Sequence, residues 1–151
     1  MIRVVITGRT GSGKTSVINE LIKIVSERND LIYTKDANGL VIRKTEIEPD
    51  SENSAIISEV PIREMIDFKV VPRSSRILEI ECSSVEQKNR LVNSKKYKGV
   101  DVITEMAQEA RFYFRNLIDI RRRVHARVHN PDNKQHEAAV RVLEDIESLM
   151  L

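Results

Sequence analysis

The chain has little of what would tie it to an oxidising compartment, a membrane or a polyanion. One cysteine in 151 residues excludes an internal disulfide, and a reducing cytoplasm is the expected setting. No apolar run approaches the ~20 residues needed to cross a bilayer, so no membrane is expected. The first residues pass directly into a strand-like run rather than a signal sequence. Charge of either sign is balanced, 25 Lys and Arg against 23 Asp and Glu, which gives no global field for nucleic acid. Aromatic residues are only 4% of the chain. Phe112, Tyr113, Phe114 and Leu117 fall at helical spacing, which assigns them to a core rather than to a base-stacking platform.

Glycine is also sparse, five in all, yet three of them stand together. Residues 8–15 read Gly8-Arg9-Thr10-Gly11-Ser12-Gly13-Lys14-Thr15, a complete G-x-x-x-x-G-K-[ST] phosphate-binding loop. A strand-like run, Ile2-Arg3-Val4-Val5-Ile6-Thr7, precedes it, and a helix-like run follows from about Thr15. The residue types match the chemistry. Backbone N–H groups must point inward around a polyphosphate, and glycine permits the backbone angles and close approach this needs. The helix start adds open N–H groups and its positive dipole end. Lys14 supplies a point charge for the β/γ oxygens, and the Thr15 hydroxyl can complete a Mg2+ shell. ATP with Mg2+ is therefore the expected cofactor set.

The length fits one domain over residues 1–151, large enough to bury about 68–70% of its unfolded surface. After the loop, Val17, Ile18, Leu21, Ile22 and Val25 predict a helix over 15–28. Strands are expected at 31–34 and 40–45, around an Asp36-Ala37-Asn38-Gly39 turn, with an exposed acidic loop over 46–54. A further strand covers 54–60, and Pro61 opens a short helix reaching about Phe68. Residues 76–82 read as a strand, and Ser83-Ser84 caps a helix through Leu91 and Val92. Lys95, Lys96 and Lys98 make a basic connector over 93–100. One long helix is expected from about Val100 to Asn130-Pro131-Asp132, with Ile103, Met106, Ala107, Ala110, Phe114, Leu117 and Val124 along its apolar face. A last amphipathic helix carries Ala138 to Leu149. Alternating strands and helices imply α/β architecture with a mostly parallel sheet.

A second pattern narrows the reading. After the strand ending at Cys82 comes Ser83-Ser84-Val85-Glu86-Gln87-Lys88-Asn89-Arg90-Leu91, then the basic connector, then Asp101-Val102-Ile103-Thr104-Glu105-Met106-Ala107-Gln108-Glu109-Ala110. This resembles guanylate kinase and related nucleoside monophosphate kinases, with a reduced viral-type deoxynucleotide kinase as a close variant. The likeness covers about residues 1–28 and 76–115. It implies a three-layer P-loop NTPase fold with a short acceptor-binding insertion, about 30–55, a lid-like connector over 93–100 and a C-terminal helical extension. It further implies that Gly8 to Thr15 hold donor ATP, that Arg90 sits at the lid base near the phosphates, and that Glu59 occupies the acidic position that organises either Mg2+, with Thr15, or the acceptor nucleotide. The second lid arginine of the family has no counterpart near Thr104-Glu105-Met106; Arg111 or Arg115 stands in for it. The family's Thr-Thr-Arg acceptor run is absent from 30–55, which leaves Arg43, Arg63, Arg73, Arg76 and Arg111 as candidates for the acceptor phosphate.

The expected activity is transfer of the ATP γ-phosphoryl group to a nucleoside or deoxynucleoside monophosphate, with Lys14, Arg90 and Arg111 as the catalytic set. A monophosphate is already largely ionised, its second pKa lying near ~6, so cations and alignment matter more than a general base. Two alternatives stay open. One is a nucleotide-binding regulatory or assembly module with weak turnover. The other is a nucleic-acid-linked ATPase, for which Arg121-Arg122-Arg123 is the only hint. His125 and His129, four apart, have helical spacing for a shared metal but nothing nearby completes a ligand set. Asp36-x-x-Gly39 matches a short GTPase pattern without its guanine-reading partner. Homo-oligomerisation is possible on this sequence.

Overall fold

The computed structural model describes residues 1–37, 39–46, 53–94 and 101–150. Six strands form one sheet in the order β2-β3-β4-β1-β5-β6. They are β1 (Ile2–Thr7), β2 (Leu31–Asp36), β3 (Gly39–Lys44), β4 (Ala55–Glu59), β5 (Arg76–Glu81) and β6 (Ala126–His129). β1 pairs in parallel with β4 and β5, and β5 with β6, while β2, β3 and β4 are joined antiparallel. The mixed, mostly parallel α/β sheet expected from the alternation of elements is present. The helices are α1 (Lys14–Glu27), α2 (Ile62–Met65), α3 (Ser84–Val92), α4 (Val102–Arg115), α5 (Leu117–Arg123) and α6 (Gln135–Leu149).

Period-two alternation along the central strands sorts side chains onto two faces. Val4 and Ile6 of β1 with Leu78 and Ile80 of β5 join Val17, Leu21 and Val25 of α1 and Ala139, Val142 and Ile146 of α6. Val5 and Ile77, one residue out of phase, face Ile62 and Met65 of α2, Ile120 of α5 and the half-buried Phe112 and Tyr113 of α4. Helices therefore cover both faces, the usual condition for a parallel sheet with near-continuous apolar strands. Arg28, at the end of α1, adds ion pairs to Asp30 and to Glu147 of α6. The β2–β3 hairpin, inside the segment expected to bind an acceptor, extends the sheet and buries Leu31, Leu40 and Ile42 in the first core.

Two expectations for 100–130 are corrected. The single long helix is broken at Asn116, whose φ of −109° and ψ of 17° are not helical and whose Nδ2 donates to the Phe112 carbonyl at 2.9 Å. Beyond Val124 the chain becomes strand β6, parallel to β5. Val124, Ala126 and Val128 alternate with His125, Arg127 and His129, a period-two pattern hidden because Leu117 and Val124 also fit a helical stripe. In extended chain His125 and His129 lie about 13 Å apart, too far to share a metal. The second correction concerns the apolar face of α4: Ile103 is 64% and Phe114 70% exposed. The acidic stretch Glu48, Pro49, Asp50, Ser51 and Glu52, the turn residue Asn38, and Lys95, Lys96 and Lys98 lie outside the described residues.

These burials predict unequal costs. Ile146→Ala, at a fully buried α1–α6 contact, should lose about 2–5 kcal/mol of unfolding free energy. Phe114→Ser should stay within about 0.5 kcal/mol of the parent protein. Denaturant titration of both variants measures the difference, and equal losses would place Phe114 back in a core.

Candidate functional site

The phosphate loop lies where the sheet's connectivity reverses. β1 has β4 on one side and β5 on the other, and open α/β sheets bind ligands in the crevice beyond the carboxyl ends of such strands. Ile6 registers with Glu59 of β4, and Thr7 with Glu79 of β5. The loop leaves β1 between these two carboxylates.

Its conformation follows from glycine. Gly11 has φ +83° and Gly13 φ +93°, both in the left-handed region that side chains rarely adopt. A Cβ on Gly13 would also collide with the Asn130 amide. Gly13 is the N-cap of α1; it gives no side-chain cap, and no acidic residue lies in the first turn. The start of α1 thus keeps its positive end for a ligand.

The loop's carbonyls are held from outside. Gln87 of α3 donates Nε2 to the Thr10 carbonyl at 2.8 Å. Arg90 donates Nη1 to the carbonyls of Gly11 and Ser12 at 3.2 and 2.9 Å, and Nη2 to that of Asn130 at 2.7 Å. Its Nε reaches Asp132 at 3.1 Å, and Nη2 lies 3.1 Å from the same carboxylate. Asn130, fully buried, donates Nδ2 to the Ser12 carbonyl at 2.9 Å. Cys82 Sγ lies 3.7 Å from the Gly11 carbonyl. The carbonyls of Thr10, Gly11 and Ser12 are thus all held by side chains from α3 and the segment after β6, while the Thr10 and Ser12 amides are bonded to Glu109 and to the Arg9 carbonyl.

Arg90 therefore braces the loop, its donors engaged by carbonyls and Asp132, while its side chain also lines the cavity that holds Lys14 and Thr15. The Ser83–Glu86 capping box at the start of α3 steadies this arrangement, and the Glu86 carboxylate also accepts the Asp132 amide. That bond, followed by the Ser83 hydroxyl and amide, holds the Glu86 carboxyl below its ordinary value. Gln87, Asn130 and Asp132 were not expected as loop contacts. Asn130-Pro131-Asp132 has the composition of a helix stop, and nothing local shows that β6 brings it to the loop.

Glu109 of α4 is a further unexpected member. It is 7% exposed, and its carboxylate accepts Thr10 N–H at 3.0 and 3.1 Å, Thr10 Oγ1–H at 2.8 Å and Gln87 Nε2–H at 3.2 Å. Three donors offset the cost of burying the charge. Lys14 folds back across the loop, donating Nζ to the carbonyls of Gly8 at 3.0 Å and Arg9 at 3.3 Å. Thr15 Oγ1 donates to the Glu59 carboxylate at 3.0 and 3.2 Å. Among the described residues no group of three or more His, Cys, Asp or Glu side chains is arranged to hold a metal.

A nucleoside triphosphate with Mg2+ fits these residues. The uncapped α1 start, the left-handed glycines and the buried Ser12 hydroxyl, without a partner among the described residues, form an anion cradle. Thr15 and Glu59 present adjacent oxygens, the one or two protein ligands that Mg2+ takes beside phosphates. An open cavity of about 460 Å3 joins Thr10, Gly11, Lys14, Thr15, Glu59 and Pro61. Two residues beyond Pro61, Arg63 of α2 meets Arg111 and Arg115 of α4 around a second depression of about 370 Å3, with Gln108 and Asn116 on its wall. Of the other acceptor candidates, Arg76 is bonded to Asp145 at 2.6 Å, Arg43 lies on β3 opposite Ile32, and Arg73 lines a separate cavity.

On the β5 side of the loop, Glu79 is 4% exposed. It accepts from the Tyr113 hydroxyl at 2.8 Å and faces Arg127 at 3.4 Å. Burial pushes its carboxyl above the ordinary value, outweighing the hydrogen bond and the nearby cation.

No protein-family model and no curated protein matches the chain in sequence. Solved structures do match its fold. A shikimate kinase from Acinetobacter baumannii in complex with shikimate superposes with a TM-score of 0.57 at 12% identity, covering 100% of this chain and 96% of that one. A Thermus thermophilus protein gives 0.57 at 14%, covering 99% and 98%. A shikimate kinase from Bacteroides thetaiotaomicron gives 0.53 at 13%, covering 97% and 98%. The chain has the P-loop kinase fold of these proteins.

Two outcomes follow from the buried carboxylates. Glu109→Leu strands three donors and should cost about 3 kcal/mol in denaturant unfolding; a loss below 1 kcal/mol would mean that Glu109 does not hold the loop. Glu79 has a raised folded value, so its contribution is full below the ordinary carboxyl value and is lost as pH rises through the folded one. Relative to the parent, Glu79→Gln should therefore gain stability as pH rises from the ordinary carboxyl range towards neutrality, read from denaturation at each pH.

Proposed function

We propose that this chain is a P-loop phosphotransferase that moves the ATP γ-phosphoryl group to a small anionic acceptor, a nucleoside or deoxynucleoside monophosphate being the preferred class. The observation that carries the proposal is the meeting of Arg63, Arg111 and Arg115 around one depression, with Arg63 two residues beyond Pro61 of the phosphate-loop cavity. Three guanidiniums without an intervening carboxylate on that wall suit a phosphate with two negative charges. The fold neighbours include a kinase solved with shikimate, whose acceptor is likewise a small anion.

In this reading the loop amides and Lys14 cradle the donor phosphates, and Thr15 with Glu59 would hold Mg2+, which when bound would supply neutralising charge. Arg63 and Arg115 fix the acceptor. Arg111 reaches toward the transferring group and takes the part expected of a second lid arginine. Arg90 acts as a positioning residue, because its donors hold the loop carbonyls. Alignment and charge neutralisation are the whole task, as in other phosphoryl transfers.

A second reading, a nucleotide-binding module with weak turnover, has one observation on its side. The Glu109 carboxylate is bonded to a loop amide, placing negative charge close to where phosphates crowd. A coupled ADP assay with a panel of monophosphates decides between the two. Lys14→Ala should reduce turnover by about 100-fold or more. Arg63→Ala and Arg115→Ala should raise the acceptor KM about 10- to 100-fold while leaving the KM for ATP unchanged. Tight ATP binding with no ADP formed for any acceptor would sink the kinase reading and leave the module.

A further inference from the structure

A cavity of about 520 Å3 opens at the opposite end of β5 from the phosphate loop. Ser75 and Ile77, at the start of that strand, form part of its wall, whereas Ile80, near the other end, packs beneath Gly8. Its charged lining is three arginines, Arg73, Arg122 and Arg123, against one carboxylate, Asp119. None of them takes part in the site described above.

The arginines are not equivalent. Arg123 is tied down, donating to the carbonyls of Met65, Val71 and Pro72. Its guanidinium lies 4.4 Å from the centre of the Phe68 ring, and that of Arg73 lies 4.2 Å from the same centre. Two like charges thus share one ring. Burial first, and then the Arg73 charge, weakens proton binding at Arg123. Among the described residues no carboxylate pairs with Arg73 or Arg122.

Two further groups point to an anion. The Ser75 hydroxyl, on a residue 2% exposed, has no hydrogen-bond partner among the described residues. Buried hydroxyls are ordinarily satisfied. His125 accepts the Ile77 amide on Nδ1 at 3.0 Å, so the neutral ring carries its proton on Nε2 and offers a second donor. Ile66, Ile77 and the half-exposed Phe68 supply an apolar floor. The volume lies in the range of small-molecule sites, about 300–1,000 Å3.

We propose that this cavity is a second ligand site, which takes a phosphomonoester of nucleotide size with its phosphate toward Arg73 and Arg122 and its ring against Phe68 and Ile66. The site is separate from phosphoryl transfer and does not depend on the kinase reading. A dianion relieves the crowding of guanidiniums that the protein itself leaves uncompensated, and planar bidentate donors suit it.

The test uses full-length protein carrying Lys14→Ala and Arg111→Ala, which weaken the donor and acceptor sites, titrated with thymidine 5′-monophosphate. NMR follows the Ile77 amide and the His125 ring. The expected result is a saturable shift of both signals, weakened at least tenfold by adding Arg122→Ala or Arg73→Ala. Both residues are exposed, so the fold should survive, and unchanged dispersion of the remaining amides checks this. Shifts confined to residues around Arg63 would overturn the proposal. So would a linear, non-saturating response matched by inorganic phosphate, or binding seen only with a single-stranded oligonucleotide, which would make the arginines a nucleic-acid contact.

Discussion

The structure depends on how the peptide carbonyls of one short loop are satisfied. A loop with left-handed glycines can hold its shape only if its carbonyls find donors elsewhere, since buried peptide groups without partners are costly. Here the carbonyls of Thr10, Gly11 and Ser12 are met by Gln87, Arg90 and Asn130. These three come from α3 and from the segment after β6, so two elements distant in sequence close around residues 8–13. The Arg90–Asp132 pair locks those elements to each other. At 20% side-chain exposure for Arg90, that pair is worth more through its fixed geometry than through bare Coulomb attraction, which water screens.

Helix α4 connects the loop to the second cluster of cations. Glu109 grips Thr10, and Arg111 and Arg115 lie half a turn and about a turn and a half farther along the same helix. Moving α4 would move the arginines and the loop tip together. On the kinase reading this makes donor and acceptor positions a single rigid relationship, which in-line transfer demands. It also explains why a carboxylate is tolerated near phosphates: its negative charge is spent on Thr10 and Gln87 rather than presented to the crevice.

The sequence disclosed those parts whose chemistry is local. The loop is contiguous, its glycines have no alternative reading once Lys14 and Thr15 follow, and the flanking strand and helix repeat with clear periods. The place of Glu59 was legible as the end of an apolar strand that stops at Pro61, and the structure adds its contact with Thr15. What stayed hidden is held together through space. Asn130 and Gln87 are ordinary polar residues until β6 and α3 bring them to the loop, and Glu109 reads as one more solvated helix charge. β6 was masked by its shortness: four residues alternating at period two also fit a helical stripe drawn through Leu117 and Val124. The expectation that Phe114 is core failed for a related reason. The break at Asn116 ends the helix and redirects the chain, so α4 and α5 do not share one continuous apolar face.

The distribution of arginines separates the faces of the protein by task. Arg28 and Arg76 are neutralised by Asp30, Glu147 and Asp145 and stitch α6 to the sheet and to α1. Arg90 is spent on carbonyls. Guanidiniums facing open depressions come from the loop (Arg9), from the segments that follow β4 and from α4 and α5, while the hairpin between α1 and β4 spends its apolar residues on the core. On the kinase reading, the arginines of α2 and α4 would draw the acceptor to those helices rather than to the hairpin. That placement keeps the reacting groups near the sheet's switch point and asks no movement of β2 or β3.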